Sequence, residues 1–403
     1  MQKIKVLRII ARLNVGGPAI HTILLTEGLD KSRFQSLLIC GSVGEGEGDM
    51  SDYAARKNVT PILIPELKRQ LSLRDDLTAF FKLFNIIRRE RPDIIHTHTA
   101  KAGALGRLAG ILYNFLNLGK RRARLLHTFH GHIFEGYFDK IRTIFFIFIE
   151  RSLAVFTDKI ITVSESVKRE LAGLRVCGPG KISVIPLGLE LEEFFRVKEA
   201  GGSACQEIGI VGRLVPVKNH RLFLDAAARV IAGNPEARLR FKIIGDGEMR
   251  AELEKYSEEL DIRDSVIFTG WQKDLAAVYS GLHIVALTSL NEGTPVSLIE
   301  AMACARPVVA TDAGGVRDLL GNGAGAVYNE AGFSILERGI LVRQQDAGAF
   351  ASALIIMLEN AALKKKTAEN AREFVKNKFL KTRLISDMEQ TYSALFPAQK
   401  TRS

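Results

Sequence analysis

Cysteine is scarce in this chain. Cys40, Cys177, Cys205 and Cys304 form no Cys-x-x-Cys pair, and none stands at zinc-ligand spacing from a histidine. That argues against a disulfide framework and against a cysteine-based zinc site, and it fits a reduced, cytosolic chain. No run of eighteen apolar residues occurs, so no segment reads as a membrane span. The first ten residues, Met1 to Ile10, carry charges inside their apolar run and lack a small-residue cleavage site, so they read as a first strand rather than a signal peptide. Low-complexity tracts are missing too, and the composition, 47% hydrophobic and 25% charged, is that of a globular protein. There is no Asp-x-Asp, the usual carboxylate pair for a metal–diphosphate complex; the nearest match, Asp246-Gly247-Glu248, fits a turn after a strand. Gly16-Gly17 and Gly245-Asp246-Gly247 both fail the Gly-x-Gly-x-x-Gly turn that a dinucleotide oxidoreductase needs.

Positive charge is present, and unevenly so. Residues 1–196 hold 30 Lys/Arg against 20 Asp/Glu, a balance of +10, whereas residues 197–403 hold 26 against 25, a balance of +1. A basic first half points to an anionic contact: membrane lipid, a phosphorylated acceptor or nucleic acid.

At 403 residues two domains are expected. Short β-rich runs alternate with helical patterns: Val6–Ala11, Gln35–Cys40, Asp93–His96, Leu125–Thr128, Lys159–Val163 and Ser183–Ile185 read as strands. Leu73–Arg89, Ala102–Phe115 and Glu165–Leu174, the last capped by Ser164, read as helices. Past a Gly201-Gly202-Ser203 linker the pattern restarts with strands at Ile208–Val211, Arg240–Ile244, Val266–Phe268, Ile284–Leu287 and Pro307–Ala310, and a last helical region spans roughly Leu363–Leu395. Such alternation means parallel sheets covered on both faces. The expected fold class is α/β, two doubly wound Rossmann-like domains in series with a cleft between them. We assign 1–196 to an N-terminal Rossmann-like domain, 206–375 to a C-terminal one and 376–403 to a helix packing back on the first.

The most informative stretch is Leu290-Asn291-Glu292-Gly293-Thr294-Pro295-Val296-Ser297-Leu298-Ile299-Glu300. Thr294 suits an N-cap and Pro295 the first helical position, which would aim a helix N-terminus at the cleft as a phosphate seat. Gly293 removes a side chain where an anion must come close. Glu292, in the loop, can reach a substrate hydroxyl, and Glu300 can accept from ribose hydroxyls. Earlier, Gly212-Arg213-Leu214-Val215-Pro216-Val217-Lys218-Asn219 follows a strand; its planar guanidinium and compact ammonium together neutralise a diphosphate without a metal.

The segments Gly212–Asn219, Ile243–Arg250 and Asn291–Leu320, in that order and spacing, resemble the family 4 glycosyltransferases, the large group of retaining, nucleotide-sugar-dependent enzymes with the GT-B fold. The resemblance covers nearly the whole chain and is strongest over 208–320. It implies that Arg213 and Lys218 hold the donor diphosphate, that Glu300 binds the donor ribose, that Glu292 faces the transferred sugar, and that Gly293, Thr294 and Pro295 shape the backbone cradle. Gly245 and the Gly270-Trp271 turn are candidates for the base side of the donor.

The first half adds two matches. Asn14-Val15-Gly16-Gly17-Pro18 resembles the family's glycine loop, which approaches donor phosphate and acceptor with bare backbone, so the resemblance implies that Gly16 and Gly17 bind the donor; the acid that many members carry just after it is missing from Pro18-Ala19-Ile20-His21. In similar enzymes the histidine before glycine, here His130 in His127-Thr128-Phe129-His130-Gly131-His132, lies near the reacting sugar carbon, with His132 as a second candidate on the acceptor side. Lys101, at a helix start, is a candidate for an acceptor phosphate. Clustered histidines, here and at His96 and His98, also raise metal ligation. Each group stands at a strand end without a matching acid or cysteine, so neither a metal nor any other cofactor is expected.

Ile141, Ile144, Phe145, Phe148 and Ile149 form one helical stripe, with Phe146 and Ile147 outside it, and Lys120, Arg121, Arg122 and Arg124 lie upstream. Apolar helices beside basic clusters attract anionic membranes. The expectation is therefore a cytoplasmic enzyme, peripheral at the inner face of the membrane. It would move a hexose or N-acetylhexosamine from a nucleoside diphosphate, UDP being favoured, to a polyprenyl-diphosphate-linked saccharide with retention, in surface-polysaccharide or lipopolysaccharide assembly, with no role for nucleic acid. A sugar-nucleotide epimerase on the same fold, or a transferase with a soluble acceptor, is the alternative.

Overall fold

The computed structural model describes residues 3–44, 48–68, 70–117, 122–131, 140–198, 205–321 and 328–396, with 140–142 as backbone only. The chain divides into two compact units, Met1–Leu189 with Phe379–Ser403, and Glu190–Lys378. The Gly201–Ser203 linker, Lys120, Arg121 and His132 lie outside the described residues.

Unit 1 is built on strands β1 (Ile4–Arg12), β2 (Phe34–Gly41), β3 (Ile62–Leu63), β4 (Ile94–His98), β5 (Arg124–Phe129), β6 (Lys159–Thr162) and β7 (Ile182–Val184). They form one parallel sheet in the order β3-β2-β1-β4-β5-β6-β7. The near-continuous apolar runs follow from burial on both faces; Val6, Leu7, Ile9 and Ile10 of β1 are sealed from solvent. The helix Leu73–Glu90 shows why these segments coil where they do. Ser72 accepts a hydrogen bond from the Asp75 N–H, Asp75 and Asp76 sit in the first turn, Arg88 and Arg89 in the last, and Arg91 ends it in the left-handed region. Ala79, Leu83, Phe84 and Ile87 supply its buried stripe.

Two features tie unit 1 together. Arg107, on the helix Ala100–Leu116, is fully buried and donates from Nη2 to both carboxylate oxygens of Glu150 at 2.8 and 2.7 Å, and from Nε to the Gly103 carbonyl at 2.8 Å. That pair pins the helix Lys140–Phe156 in place. The other is the helix Lys381–Ala394, whose Leu384, Met388 and Tyr392, spaced four apart, join Val6, Leu25, Phe34, Ile94 and Leu126 in one core. The continuous helical region expected near Leu363–Leu395 is therefore two helices. Ala361–Lys378 belongs to unit 2, and the chain breaks at Phe379 and Leu380, where Leu189 N–H and Lys381 N–H pair with Phe379 and Leu189 carbonyls.

Unit 2 contains β8 (Gln206–Val211), β9 (Leu239–Ile244), β10 (Val266–Gly270), β11 (Ile284–Leu287), β12 (Val308–Thr311), β13 (Phe333–Leu336) and β14 (Gly339–Val342), ordered β10-β9-β8-β11-β12-β14-β13. All pairings are parallel except the β13–β14 hairpin, which the sequence reading did not resolve. In both sheets the strand order reverses beside the first strand, between β1 and β4 and between β8 and β11. Ligands of doubly wound folds bind beyond the carboxyl ends of strands at such points.

Candidate functional site

In unit 2 the loops leaving β8 and β11 are laced together at the switch point. Leu290 N–H donates to the Val217 carbonyl at 2.8 Å, and Thr288 Oγ1 donates to the Lys218 carbonyl at 3.0 Å. Gly315, after β12, donates to the Glu292 carbonyl at 3.0 Å, so three strand ends share one backbone frame. Within it Lys218 Nζ and Glu292 Oε1 form an ion pair at 2.5 Å, and Ser289 Oγ donates to the same oxygen at 2.7 Å. Lys218 lies on the turn Pro216–Lys218, and Asn219 follows in the left-handed region to start the helix His220–Gly233. Half-buried Arg213 has no side-chain hydrogen bond or ion pair among the described residues, which leaves it available for an anion.

Gly245 must be glycine. Its φ is +135°, and a Cβ there would stand 2.0 Å from the Gly212 carbonyl oxygen. The strand end of β9 is thus pressed directly against the Gly-Arg turn.

The helix after Gly293 spans Val296–Ala303 and begins one residue later than expected. Pro295, at φ −70° and ψ 113°, is the flanking residue, and Thr294 does not cap the helix: its Oγ1 is buried without a partner. Pro295, now at the capping position, has no side-chain acceptor for the N–H groups of the first turn, so the helix starts uncapped. Glu300 lies on it as foreseen. Tyr279 donates to Glu300 Oε2 at 3.0 Å and to the Ser297 carbonyl at 3.0 Å. Burial pushes the Glu300 carboxyl up to about 7 although the Tyr279 hydroxyl favours its charged form, while burial and Glu300 together raise Tyr279 well above its ordinary value.

In unit 1 the switch point gathers histidines. His98 ends β4, His130 follows β5, and His21 lies on the helix Gly17–Gly28 that the Gly16-Gly17 loop opens. His98 Nδ1 and His130 Nε2 are 3.0 Å apart, and His21 stands edge-on to both rings. Burial lowers the pKa of all three, His130 to about 3, so they are neutral at pH 7. The expectation of no metal rests on histidine groups close together in the chain, each without a matching acid or cysteine. The cluster formed here draws one residue from each of three segments, and nothing near His21 in the sequence marks it. Lys101 is placed in the first turn of its helix, where its ammonium pairs with Asp76 and donates to the Gln70 carbonyl at 2.5 Å. His132 lies outside the described residues.

Three residues of the stripe on Lys140–Phe156 are exposed. Ile144, Phe145 and Phe148 are each at least 60% accessible, whereas Phe146 and Ile147, the residues off the stripe, pack toward Phe129 and Ala154. Phe156 continues the face onto Phe115 of the neighbouring helix, ring to ring at 6.3 Å. No single helix among the described residues is long and apolar enough to cross a membrane.

Two Rossmann-like units with parallel sheets, the second carrying an Arg–Lys and two-glutamate frame at its switch point, define a GT-B glycosyltransferase, and the chain belongs to that class. Residues 15–193 match the family described as Glycosyltransferase Family 4 and residues 205–360 the one described as Glycosyl transferases group 1. Among curated relatives, the chain is 28% identical over 376 residues (91% of this chain, 90% of the relative) to an Escherichia coli protein. That protein is named UDP-Gal:alpha-D-GlcNAc-diphosphoundecaprenol alpha-1,3-galactosyltransferase. It is 24% identical to the capsular polysaccharide biosynthesis glycosyltransferase CapM of Staphylococcus aureus, over 81% of this chain and 83% of that one. Among solved structures, Anabaena Alr3699/HepE in complex with UDP superposes with a TM-score of 0.76 at 19% identity, covering 97% of this chain and all of that one.

Proposed function

We propose that this enzyme transfers a hexose or N-acetylhexosamine from a UDP-linked donor to a polyprenyl-diphosphate-linked saccharide, with retention, during bacterial surface-polysaccharide assembly at the cytoplasmic face of the membrane. The observation that carries the donor reading is the cationic seat beside β8 and β11: Arg213 has no acid partner among the described residues, and Lys218 is held at 2.5 Å by Glu292. In the free enzyme Glu292 keeps the ammonium in place. A diphosphate would draw Lys218 away and release Glu292 toward a sugar hydroxyl, so the two glutamates serve the two sugars of the donor with the phosphates between them. Glu300 would accept from the ribose, Gly293, Thr294 and Pro295 would line the cradle, and Gly245 would bring bare backbone near the base. Cations and backbone N–H groups suffice for the diphosphate, so no metal is needed there.

Gly16 and Gly17 would let the donor phosphate pass against bare backbone and His130 would face the reacting sugar; on the acceptor side His132 would add a contact, and Lys101 would meet an acceptor phosphate only by giving up Asp76. Attack on the donor face left by the diphosphate, assisted by the departing phosphate, accounts for retention without an enzymic nucleophile. The exposed apolar face of Lys140–Phe156 and the +10 charge of residues 1–196 favour an anionic membrane as the place where a lipid-linked acceptor is met. Support for a lipid-linked acceptor also comes from the name of the Escherichia coli relative, and for UDP from the ligand of the Anabaena structure. Nucleic acid plays no part in this reading.

Thermal unfolding with UDP, GDP or ADP, each with and without EDTA, tests it. A ligand at ~100 times its dissociation constant adds about 2.7 kcal/mol to the folded state. Stabilisation by UDP, indifferent to EDTA and lost in Arg213→Ala, is the expected result. No stabilisation by UDP, or one unaffected by Arg213→Ala, refutes the donor site.

A further inference from the structure

The three histidines at the unit 1 switch point have the spacing of a metal site. With metal–nitrogen bonds of about 2.0–2.1 Å a ring centroid stands roughly 3.2 Å from the ion, and tetrahedral angles then separate two centroids by about 5.2 Å. The observed separations are 5.7 Å for His21–His98, 5.0 Å for His21–His130 and 5.3 Å for His98–His130. One nitrogen from each ring lies within 4.8 Å of the others. Tetrahedral ligand nitrogens stand about 3.4 Å apart, so rotamer adjustments of at most about 1.4 Å would complete the triangle.

Hydrogen bonding decides which histidines are free to ligate. Arg8 Nη2 donates to the Tyr392 hydroxyl at 3.3 Å, which turns that hydroxyl's own proton toward His96 Nδ1, 2.7 Å away. His96 therefore carries its proton on Nε2 and donates to Thr128 Oγ1 at 2.8 Å, so both of its nitrogens are used. Its ring packs 4.2 Å from that of His98 and buttresses it. Thr97 donates its hydroxyl proton to the Leu126 carbonyl, so His127 must donate from Nδ1 to Thr97 Oγ1, and His127 stands outside the cluster. His21 has both nitrogens buried and unpartnered; His98 Nε2 and His130 Nδ1 are unpartnered as well, as is Nε2 of His127, which position alone keeps out of the cluster. Orphaned imidazole nitrogens are costly, and ligation would satisfy one on His21.

We infer that His21, His98 and His130 form a binding site for one divalent transition ion of the zinc type, with a fourth position open. An all-imidazole set selects Zn²⁺, Co²⁺, Ni²⁺ or Cu²⁺ over Mg²⁺ and Ca²⁺. The buried charge of Arg8 nearby favours an anion, hydroxide or a phosphate oxygen, as the fourth ligand. On the proposed transfer reading, a bound ion occupies the ring nitrogen that His130 would offer the sugar, so loading inhibits transfer.

The test uses tag-free full-length protein, stripped with chelator and titrated with Zn²⁺ and Co²⁺, bound metal being read by elemental analysis and Co²⁺ geometry by visible absorption. One equivalent of Zn²⁺ and an intense four-coordinate Co²⁺ spectrum are expected. Affinity should fall at least about 100-fold in both His21→Ala and His130→Ala, and Mg²⁺ should not compete. Circular dichroism confirms that the variants fold, and Asn in place of either histidine serves if Ala does not. Absence of stoichiometric binding, or binding unchanged in both variants, overturns the site. UDP stabilisation, followed on the same samples, reads the unit 2 donor site independently, so either proposal can fail alone.

Discussion

Glu300 allows the donor site to be tested without any substrate. Its carboxyl sits at about 7 in the folded protein, above the unfolded value near 4.5, because burial disfavours its charge. Below pH 4.5 it is protonated in both states and its burial is without penalty. Between pH 4.5 and 7 the unfolded chain ionises while the folded one keeps the proton, so stability is lost as pH rises. A shift of this size corresponds to about 3 kcal/mol, fully lost once pH exceeds 7. Glu300→Gln keeps the shape and an acceptor for Tyr279 but cannot ionise. The variant should match the wild type near pH 4.5 and exceed it by up to about 3 kcal/mol at pH 8. Urea unfolding can be followed in unit 2 alone, because the chain's single tryptophan, Trp271, lies there. A stability difference that stays constant from pH 5 to 8 would show that Glu300 is already ionised in the fold. If ribose hydroxyls donate to Glu300, UDP binding near pH 6.5 must also release a proton, seen as a buffer-dependent heat; equal heats in phosphate and Tris would contradict the ribose role.

Two other variants probe unit 1. Glu150→Gln leaves the Arg107 guanidinium buried without its counter-charge and should cost about 3–5 kcal/mol, whereas the double change Arg107→Met with Glu150→Leu should recover most of it; equal losses in both would mean that packing, not charge, holds the helix. Ile144→Asp with Phe148→Asp changes only exposed positions, so it should leave the unfolding midpoint nearly unchanged and abolish flotation with anionic vesicles. Undiminished flotation would place the lipid contact elsewhere.

Much of this architecture is legible in local pattern. Parallel strands buried on both faces announce themselves as apolar runs, and the strands from Val6–Ala11 to Pro307–Ala310 lie within a residue or two of where those runs fall. The β13–β14 hairpin escaped because four-residue strands flanking Glu337-Arg338 lack alternation long enough to register. The residues of the proposed donor site stand out in the sequence because Arg213 and Lys218 are five apart and Glu292 and Glu300 eight apart on consecutive loop and helix. Their pairing does not, since the Lys218–Glu292 contact spans 74 residues. Arg8 is, in the sequence, only a charge inside an apolar run, yet it is fully buried, its partners Ser36 and Tyr392 supplied by distant segments. His21 went unremarked for the same reason: His98 and His130 reach it only through the sheet.

The bond from Arg8 to Tyr392 joins residues 384 apart. A ribosome emitting this chain therefore releases the sheet of unit 1 long before the helix that completes its core, while unit 2, continuous from Glu190 to Lys378, has all its residues first. The domain begun first is finished last. Until Leu384, Met388 and Tyr392 emerge, unit 1 must wait with Val6, Leu25 and Phe34 uncovered and a guanidinium short of a partner, the kind of incomplete intermediate that chaperones attend.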